Sequence, residues 1–140
     1  MIAIIRIKGK TEIRQTIEET LKRLRLRSKY SCVIVPQTPE YMGMIKKVKD
    51  YVAYGNVKNE TFEKIVEKRG QPIDKTKKIN PKDAVKEIQK GKKYEELNLK
   101  PYFRLHPARG GIDTKKHFGV GKGVLGNHKE NINKLIERML

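Results

Sequence analysis

The stretch MIAIIRIKGKTEIRQTIEETLKRLRLRSKYSCVIVPQTPEYMGMIKKVKDYVAYGNV, residues 1–57, decides the fold, because three short apolar runs in it alternate with two helical patterns. Ala3, Ile5 and Ile7 alternate with their neighbours, which predicts a first strand that is buried on one face and basic at the end of the other. Thr11 is placed to cap the helix that follows.

Two more strands and a second helix follow in the same stretch. Ser31–Val35 is a short apolar run closed by a proline, and Tyr51–Tyr54 is β-branched and aromatic, so both are predicted to be strands. Thr38 and Pro39 predict a helix start, with a capping hydroxyl before a proline that needs no amide hydrogen. The predicted order is therefore strand, helix, strand, helix, strand.

Residues 58–140 predict helices joined by loops. Asn59 is placed to cap a helix that stops at Gly70, and Asn80, followed by a proline, starts another helix that ends at Gly91. Between these two helices the chain is polar and basic, which is typical of a loop.

The last part of the chain is rich in glycine. Tyr102–Leu105 predicts a short strand, and residues 106–126, with six of the eleven glycines, predict a long loop without secondary structure of its own. Asn127 and Glu130 have the spacing of a capping box before a final helix. The apolar stripe of that helix consists of Ile132, Leu135, Ile136 and Met139.

The charge of the chain favours a polyanionic partner. Among 140 residues, 33 are Lys or Arg and 16 are Asp or Glu, which gives a net charge of +17 that is spread along the whole sequence. A surface of one sign repels itself and attracts nucleic acid, whose phosphates supply dense negative charge. A merely solubilising surface is the alternative, but mixed signs would serve that purpose with less repulsion. An acidic membrane is a weaker candidate, because no predicted helix combines a basic face with aromatic anchors.

Length and cysteine content exclude several classes of protein. The length fits one domain with an extension and is too short for two full domains. No apolar window is long enough for a membrane-spanning helix, and the opening apolar run is too short for a signal peptide. Cys32 is the single cysteine, which excludes an internal disulfide and a multi-cysteine metal cage and favours a reduced, cytosolic compartment.

Two clusters of basic residues are predicted to bind RNA. Glycines between the cations of the second cluster let the backbone approach a phosphate chain closely. Compensation of a helix dipole also explains part of the first cluster, and a mobile surface loop is the alternative for the second. The first cluster is Arg23, Arg25, Arg27 and Lys29, and the second is Arg104, His106, Arg109, Lys115, Lys116, His117 and Lys122.

No catalytic residue, metal ligand or cofactor is predicted. The glycines of residues 119–123 lack the Gly-x-x-x-x-Gly-Lys-Ser/Thr spacing of a nucleotide-binding loop and are not at a clear strand-to-helix junction. Cys32 lies within an apolar strand and is predicted to be a buried, inert thiol. His106, His117 and His128 are separated by eleven residues each, which is not a recurrent metal-ligand spacing.

Six segments, in order along essentially the whole chain, resemble the archaeal form of the large-subunit ribosomal protein family L thirty. In that family the position of Ala108 is often a second proline, a departure that affects only the stiffness of the loop. The six segments are MIAIIRIKG (Met1–Gly9), LRLRS (Leu24–Ser28), CVIVPQTPEYMG (Cys32–Gly43), VKDYVAYG (Val48–Gly55), FRLHPARGG (Phe103–Gly111) and LGN (Leu125–Asn127).

The resemblance implies a fold that periodicity alone does not give. It implies an α+β, ferredoxin-like β-α-β-α-β core, with a three-stranded antiparallel sheet of order 3-1-2 and two helices on one face. A simple helical crossover would instead predict parallel neighbours. Residues 1–57 are similar to the part shared with the shorter bacterial form, and residues 58–140 to the archaeal and eukaryotic extension, with its helices and long basic glycine-rich loop.

The resemblance also implies a function. The expected role is a structural one in the large ribosomal subunit in the cytoplasm, with large-subunit rRNA and neighbouring ribosomal proteins as partners. No catalysis, cofactor, membrane or small-molecule substrate is expected. Two rival hypotheses remain: a small nucleotide-dependent enzyme that uses the glycine loop, and a general single-strand binder. The second rival needs exposed aromatic residues, which a chain with 6% aromatic residues and no tryptophan supplies poorly.

Overall fold

The computed structural model describes all 140 residues as a mixed α+β fold with six strands and five α-helices. The strands are β1 (Ile2–Arg6), β2 (Ser31–Val35), β3 (Val52–Asn56), β4 (Phe103–Arg104), β5 (Asp113–His117) and β6 (Gly123–Lys129). The helices are α1 (Gln15–Arg23), α2 (Pro39–Val48), α3 (Asn59–Arg69), α4 (Pro81–Gln89) and α5 (Ile132–Met139), with a short 3₁₀ turn at Glu95–Leu97. None of these helices has the length and apolar content needed to cross a membrane.

All six strands form one sheet of order β4-β2-β1-β3-β6-β5. The central strand β1 is antiparallel to both neighbours, so that Ile4 lies opposite Val33 of β2 and Tyr54 of β3. This central order and strand sense are those that the family resemblance implied. The prediction of a three-stranded sheet is wrong, because β4 pairs with β2 and β6 pairs with β3. The extension thereby satisfies backbone groups that a three-stranded sheet would leave exposed at its edges.

The sheet is buried on both faces. Successive side chains of β1 point to opposite sides, and the residues on both sides are buried, so the prediction of one buried face is wrong. Helices α1 and α2 cover one face around Ile2 and Ile4, whereas α3, α4 and α5 cover the other around Ala3 and Ile5. The three helices of residues 58–140 thus supply a second apolar layer for the sheet.

The helix starts differ in how well the sequence predicts them. The side chains of Thr38 and Asn80 accept backbone hydrogen bonds at the starts of α2 and α4, as predicted. Thr11 does not cap α1, which begins four residues later, and Asn59 is the first residue of α3 without a capping side-chain bond. The predicted capping box at Asn127 is also wrong, because Asn127 pairs with β3 as part of strand β6.

The predicted unstructured loop 106–126 contains strand β5 and the start of β6, so that prediction is wrong. Asp113 lies opposite Gly123, and the two strands run parallel although only residues 118–122 connect them. Parallel neighbours usually need a much longer connection. Gly123 permits this one, because a Cβ at that position would overlap the backbone carbonyl oxygen of His117.

Candidate nucleic-acid interface

Helix α1 ends in a turn that places an arginine where glycine is usual. The amide of Leu26 donates to the carbonyl of Leu21 at 2.9 Å, and the amide of Arg25 donates to that of Lys22 at 3.0 Å. These are the two hydrogen bonds of a Schellman motif, in which the residue after the cap adopts a left-handed conformation. Arg25 has φ +63°, and a non-glycine residue there costs about 1 kcal/mol. The turn itself therefore gives no reason for an arginine at this position.

A buried arginine forms a hydrogen bond with the same turn from the interior of the protein. The side chain of Arg6 is 1% exposed, and its Nη1 donates to the carbonyl of Leu26 at 2.8 Å. Its Nε and Nη2 donate to the carbonyls of Lys8 at 3.0 Å and Gly9 at 3.3 Å. Burial lowers the pKa of Arg6, and the nearby charge of Glu18 opposes that shift. Arg6 thus ties the end of β1 to the turn that carries Arg25.

Strand β4 brings a third arginine to this turn. Arg104 pairs with Ser31 at the start of β2, while the preceding Phe103 points into the core on the other face. The hydroxyl groups of Ser28 and Ser31 are 2.8 Å apart. Together these elements form a cleft of about 290 Å³, which we call the arginine cleft. Its lining residues are Arg25, Arg27, Ser28, Ser31, Pro101, Tyr102 and Arg104.

The positive charge of the arginine cleft is hardly neutralised by the protein. Arg25 Nη2 lies 3.7 Å from Glu95 Oε1, a long contact between two side chains that are each 55% exposed. Such exposed ion pairs contribute little. Arg27 and Arg104 have no carboxylate partner, and the guanidinium of Arg104 lies 6.0 Å from the ring centre of Tyr102. Planar guanidinium groups with free donors are suited to phosphate oxygens.

The first predicted cluster stays together in the structure. Arg25 and Arg27 line the arginine cleft, and Arg23 lines an adjacent groove together with Arg25. Lys29 is exposed, and its ammonium lies 5.1 Å from the ring centre of Tyr30.

The structure divides the second predicted cluster among three places. Arg104 lies on β4 at one edge of the sheet, whereas Lys115, Lys116 and His117 lie on β5 at the opposite edge. Five strand spacings separate these edges, which is roughly 24 Å. Arg104 therefore belongs with the first cluster and not with the lysines of β5.

The segment that carries His106 and Arg109 is attached to the end of α5. The amide of His106 donates to the carbonyl of Met139 at 2.9 Å, and that of Arg109 donates to the carbonyl of Arg138 at 3.0 Å. Both predicted side chains are exposed. They form a separate basic position beside the C-terminal helix.

The remaining predicted cations surround strand β5. Lys116 Nζ lies 3.8 Å from Asp113 Oδ2, and His117 Nε2 lies 3.3 Å from Asp50 Oδ1. Lys122 Nζ is within 3.5 Å of the carbonyl oxygen of Gly110, and Lys115 is exposed without a carboxylate partner. This edge of the sheet is thus cationic, with two acidic side chains next to it.

The nucleophile and cofactor alternatives find no geometry to support them. Cys32 is fully buried, and burial raises the pKa of its thiol to about 12, so it is protonated and inert, as predicted. Residues 119–122 connect two strands and Gly123 begins the second of them, whereas a dinucleotide-binding loop lies between a strand and a helix.

Sequence reasoning missed residues that shape or extend these surfaces. Arg6 belongs to the predicted basic end of the first strand, yet its position within an apolar run is a signal of burial. Tyr102 and Phe118 each lie close to cations along the chain, and an aromatic residue among cations is a signal for nucleic-acid contact. In the sequence, nothing distinguishes Lys134 and Arg138 of α5 from other cations on the exposed face of a helix.

Comparison with known proteins identifies the family. The family model of "Ribosomal protein L30p/L7e" matches residues 2–52. The large ribosomal subunit protein uL30 of Archaeoglobus fulgidus is 40% identical over 99% of this chain and 99% of that protein. The proteins of the same name from Methanosphaera stadtmanae and Methanococcus maripaludis are 39% and 38% identical, and each alignment covers at least 98% of both chains. Since this identity extends over nearly the full length of this chain and of each relative, the chain belongs to the uL30 family of ribosomal proteins.

Proposed function

We propose that the chain is a structural component of the large ribosomal subunit and binds large-subunit rRNA through the arginine cleft. The observation that carries this proposal is the convergence of Arg25, Arg27 and Arg104, two of which have no carboxylate partner. An RNA phosphate supplies the missing negative charge, and it can displace the weak contact to Glu95. The archaeal relatives are named as proteins of the large ribosomal subunit, which supports the assignment of this chain to that subunit.

The other predicted residues extend the contact surface. In this proposal Arg23 and Lys29 flank the arginine cleft, and the cations near α5 and β5 contact further phosphates. Such contacts fix position and read shape more than sequence. The partners are rRNA and neighbouring ribosomal proteins in cytoplasmic ribosomes, and the role involves no catalysis. The residues of the second and third contact positions are His106, Arg109, Lys115, Lys116, His117 and Lys122.

We also propose the division of the chain that the sequence suggested. Residues 1–57 form the part shared with the short bacterial form, and residues 58–140 form the archaeal and eukaryotic extension. The match of the family model to residues 2–52 supports this division. The extension adds strand partners at both edges of the central sheet and adds helices on its second face.

The proposal predicts that RNA binding weakens steeply with salt. Each neutralised phosphate contributes about −0.9 to the slope of log K against log salt concentration on a duplex, so three arginines alone contribute about −3. We expect a slope of at least this size when affinity for an RNA duplex is measured by fluorescence anisotropy between low and physiological salt. A flat salt dependence would contradict phosphate binding by the cleft.

A further inference from the structure

An aromatic ring at the start of the β5–β6 connection is exposed to solvent and also packs against a buried side chain. The side chain of Phe118 is 43% exposed. Only three large apolar side chains of the protein are exposed, and Phe118 is one of them. One face of its ring lies against the imidazole of His128, with ring centres 4.2 Å apart and planes inclined by 32°. The exposed ring therefore has a partner on one side and is open on the other.

The imidazole that packs against Phe118 is buried and hydrogen-bonded. His128 is 3% exposed, and its Nε2 donates to the carbonyl oxygen of Val124 at 2.5 Å. Burial lowers the pKa of His128, which keeps the ring neutral at physiological pH. The backbone of Phe118 is also paired, since its amide donates to the carbonyl of Leu125 at 2.9 Å, so the ring has an ordered support on one face before any ligand arrives. A ligand that stacks on it loses less conformational entropy than one that must order a mobile ring.

A cationic cavity of about 450 Å³ opens beside this ring. Three cations line it, namely Lys122, Lys134 and Arg138, and no carboxylate does. Arg138 is held in place, since its Nε donates to the carbonyl of Arg109 at 2.9 Å and its Nη2 to that of Gly111 at 2.6 Å. None of the three cations forms an ion pair with an acidic side chain of the chain.

We propose that this cavity binds one unpaired nucleotide of RNA, with its base stacked on the open face of Phe118 and its phosphate near Lys122 and Lys134. A flat apolar ring beside uncompensated cations matches a nucleotide, which presents a flat base and an anion together. An apolar protein segment would cover Phe118 but leave the cations without partners. This inference rests on the proposed function, since it assigns RNA as the ligand, but it uses a site separate from the arginine cleft.

The test compares three RNAs that differ only at one position: an uninterrupted duplex, the duplex with one bulged adenosine, and the duplex with an abasic bulge. The last two carry the same phosphates, so a difference between them reports the base alone. We expect the full chain to bind the adenosine bulge about tenfold more tightly than the abasic bulge, because a base stacked on an aromatic ring contributes favourably to binding. The measurement is fluorescence anisotropy at a fixed salt concentration.

Variants assign the effect to the ring. Phe118→Leu keeps an apolar side chain and removes the aromatic face, and it should abolish the preference for adenosine while leaving affinity for the uninterrupted duplex within about twofold. Val120→Ala, at the other exposed apolar residue of the tip, should keep the preference. Thermal unfolding checks that both variants are folded.

The outcomes separate this inference from the proposed function. Equal affinity of the parent for the adenosine and abasic bulges overturns the stacking site, as does a Phe118→Leu variant that keeps the preference. Neither result affects the arginine cleft, which is tested by the salt-dependent binding of the uninterrupted duplex. Failure of that duplex binding overturns the proposed function, whatever the bulges show.

Discussion

Replacing Arg6 by leucine should lower the free energy of unfolding by about 3 kcal/mol, although the residue lies in an apolar strand whose other members are aliphatic. The guanidinium donates to three backbone carbonyls, those of Leu26, Lys8 and Gly9. Leucine cannot donate to them: loss of the buried bond to Leu26 costs about 1–3 kcal/mol, and loss of the two partly buried bonds to Lys8 and Gly9 adds a smaller amount. The leucine variant no longer buries the positive charge of the guanidinium, and this gain in stability offsets part of the loss.

Urea denaturation followed by circular dichroism measures this effect. Arg14→Leu is a matched control, because Arg14 is exposed just before α1 and forms no ion pair, so its stability should change by less than about 0.5 kcal/mol. The Arg6 variant should also bind RNA more weakly, since the carbonyl of Leu26 anchors the turn next to Arg25. If Arg6→Leu were as stable as the parent, the turn would not depend on the buried guanidinium.

The combined change Arg25→Gly, Arg27→Ala and Arg104→Ala should weaken binding to an RNA duplex about a hundredfold near physiological salt. The three lost phosphate contacts should also reduce the salt slope by about 3. Stability should stay within about 1 kcal/mol of the parent, because glycine is favoured at the left-handed position that Arg25 occupies with φ +63°. Loss of binding with an intact fold would then assign the effect to the cleft.

A control of equal charge separates the cleft from the general positive field. Lys75, Lys77 and Lys78 are exposed in the segment between α3 and α4, outside every predicted contact position. Changing all three to alanine removes the same charge but should reduce affinity by less than about tenfold. If this control lost as much affinity and salt slope as the arginine variant, binding would reflect net charge rather than a cleft.

The central strands could be predicted from the sequence, whereas the edges of the sheet could not. Ser31–Val35 is a short apolar run rich in β-branched residues, which predicts a strand, and β2 has those bounds. Strand β5 consists of Asp113–His117, whose polar side chains are exposed or half-buried, so no apolar alternation marks it. Pairing with β6 creates this strand, and local propensity does not report such a long-range partner.

The second buried face had a signal in the sequence that alternation obscured. All four residues of Ile2–Ile5 are apolar, and a continuous apolar run is typical of a strand covered on both sides. The period-two alternation in the same strand instead predicts a single buried face. The helices of residues 58–140 cover the other face, and the apolar stripe of α5 was itself correctly predicted.

For the candidate interface, the basic residues could be read from the sequence. Which of them lie together in the structure could not be predicted from it. Arg104 is about eighty residues from Arg25 in the sequence, and only the pairing of β4 with β2 brings it to the same cleft. The left-handed conformation of Arg25 was equally hidden, because glycine is the residue that signals such a turn. Local patterns therefore predict a polyanionic ligand, and the sheet topology determines which of the cations lie together.

Cosedimentation with large ribosomal subunits tests the central claim most directly. Extract from cells that make this chain would be centrifuged through a gradient at physiological salt, with and without ribonuclease treatment. We expect the chain to migrate with the large subunit and to be released when the RNA is digested. A chain that stays at the top of the gradient in untreated extract, with the large subunits intact, would contradict its assignment as an rRNA-bound component.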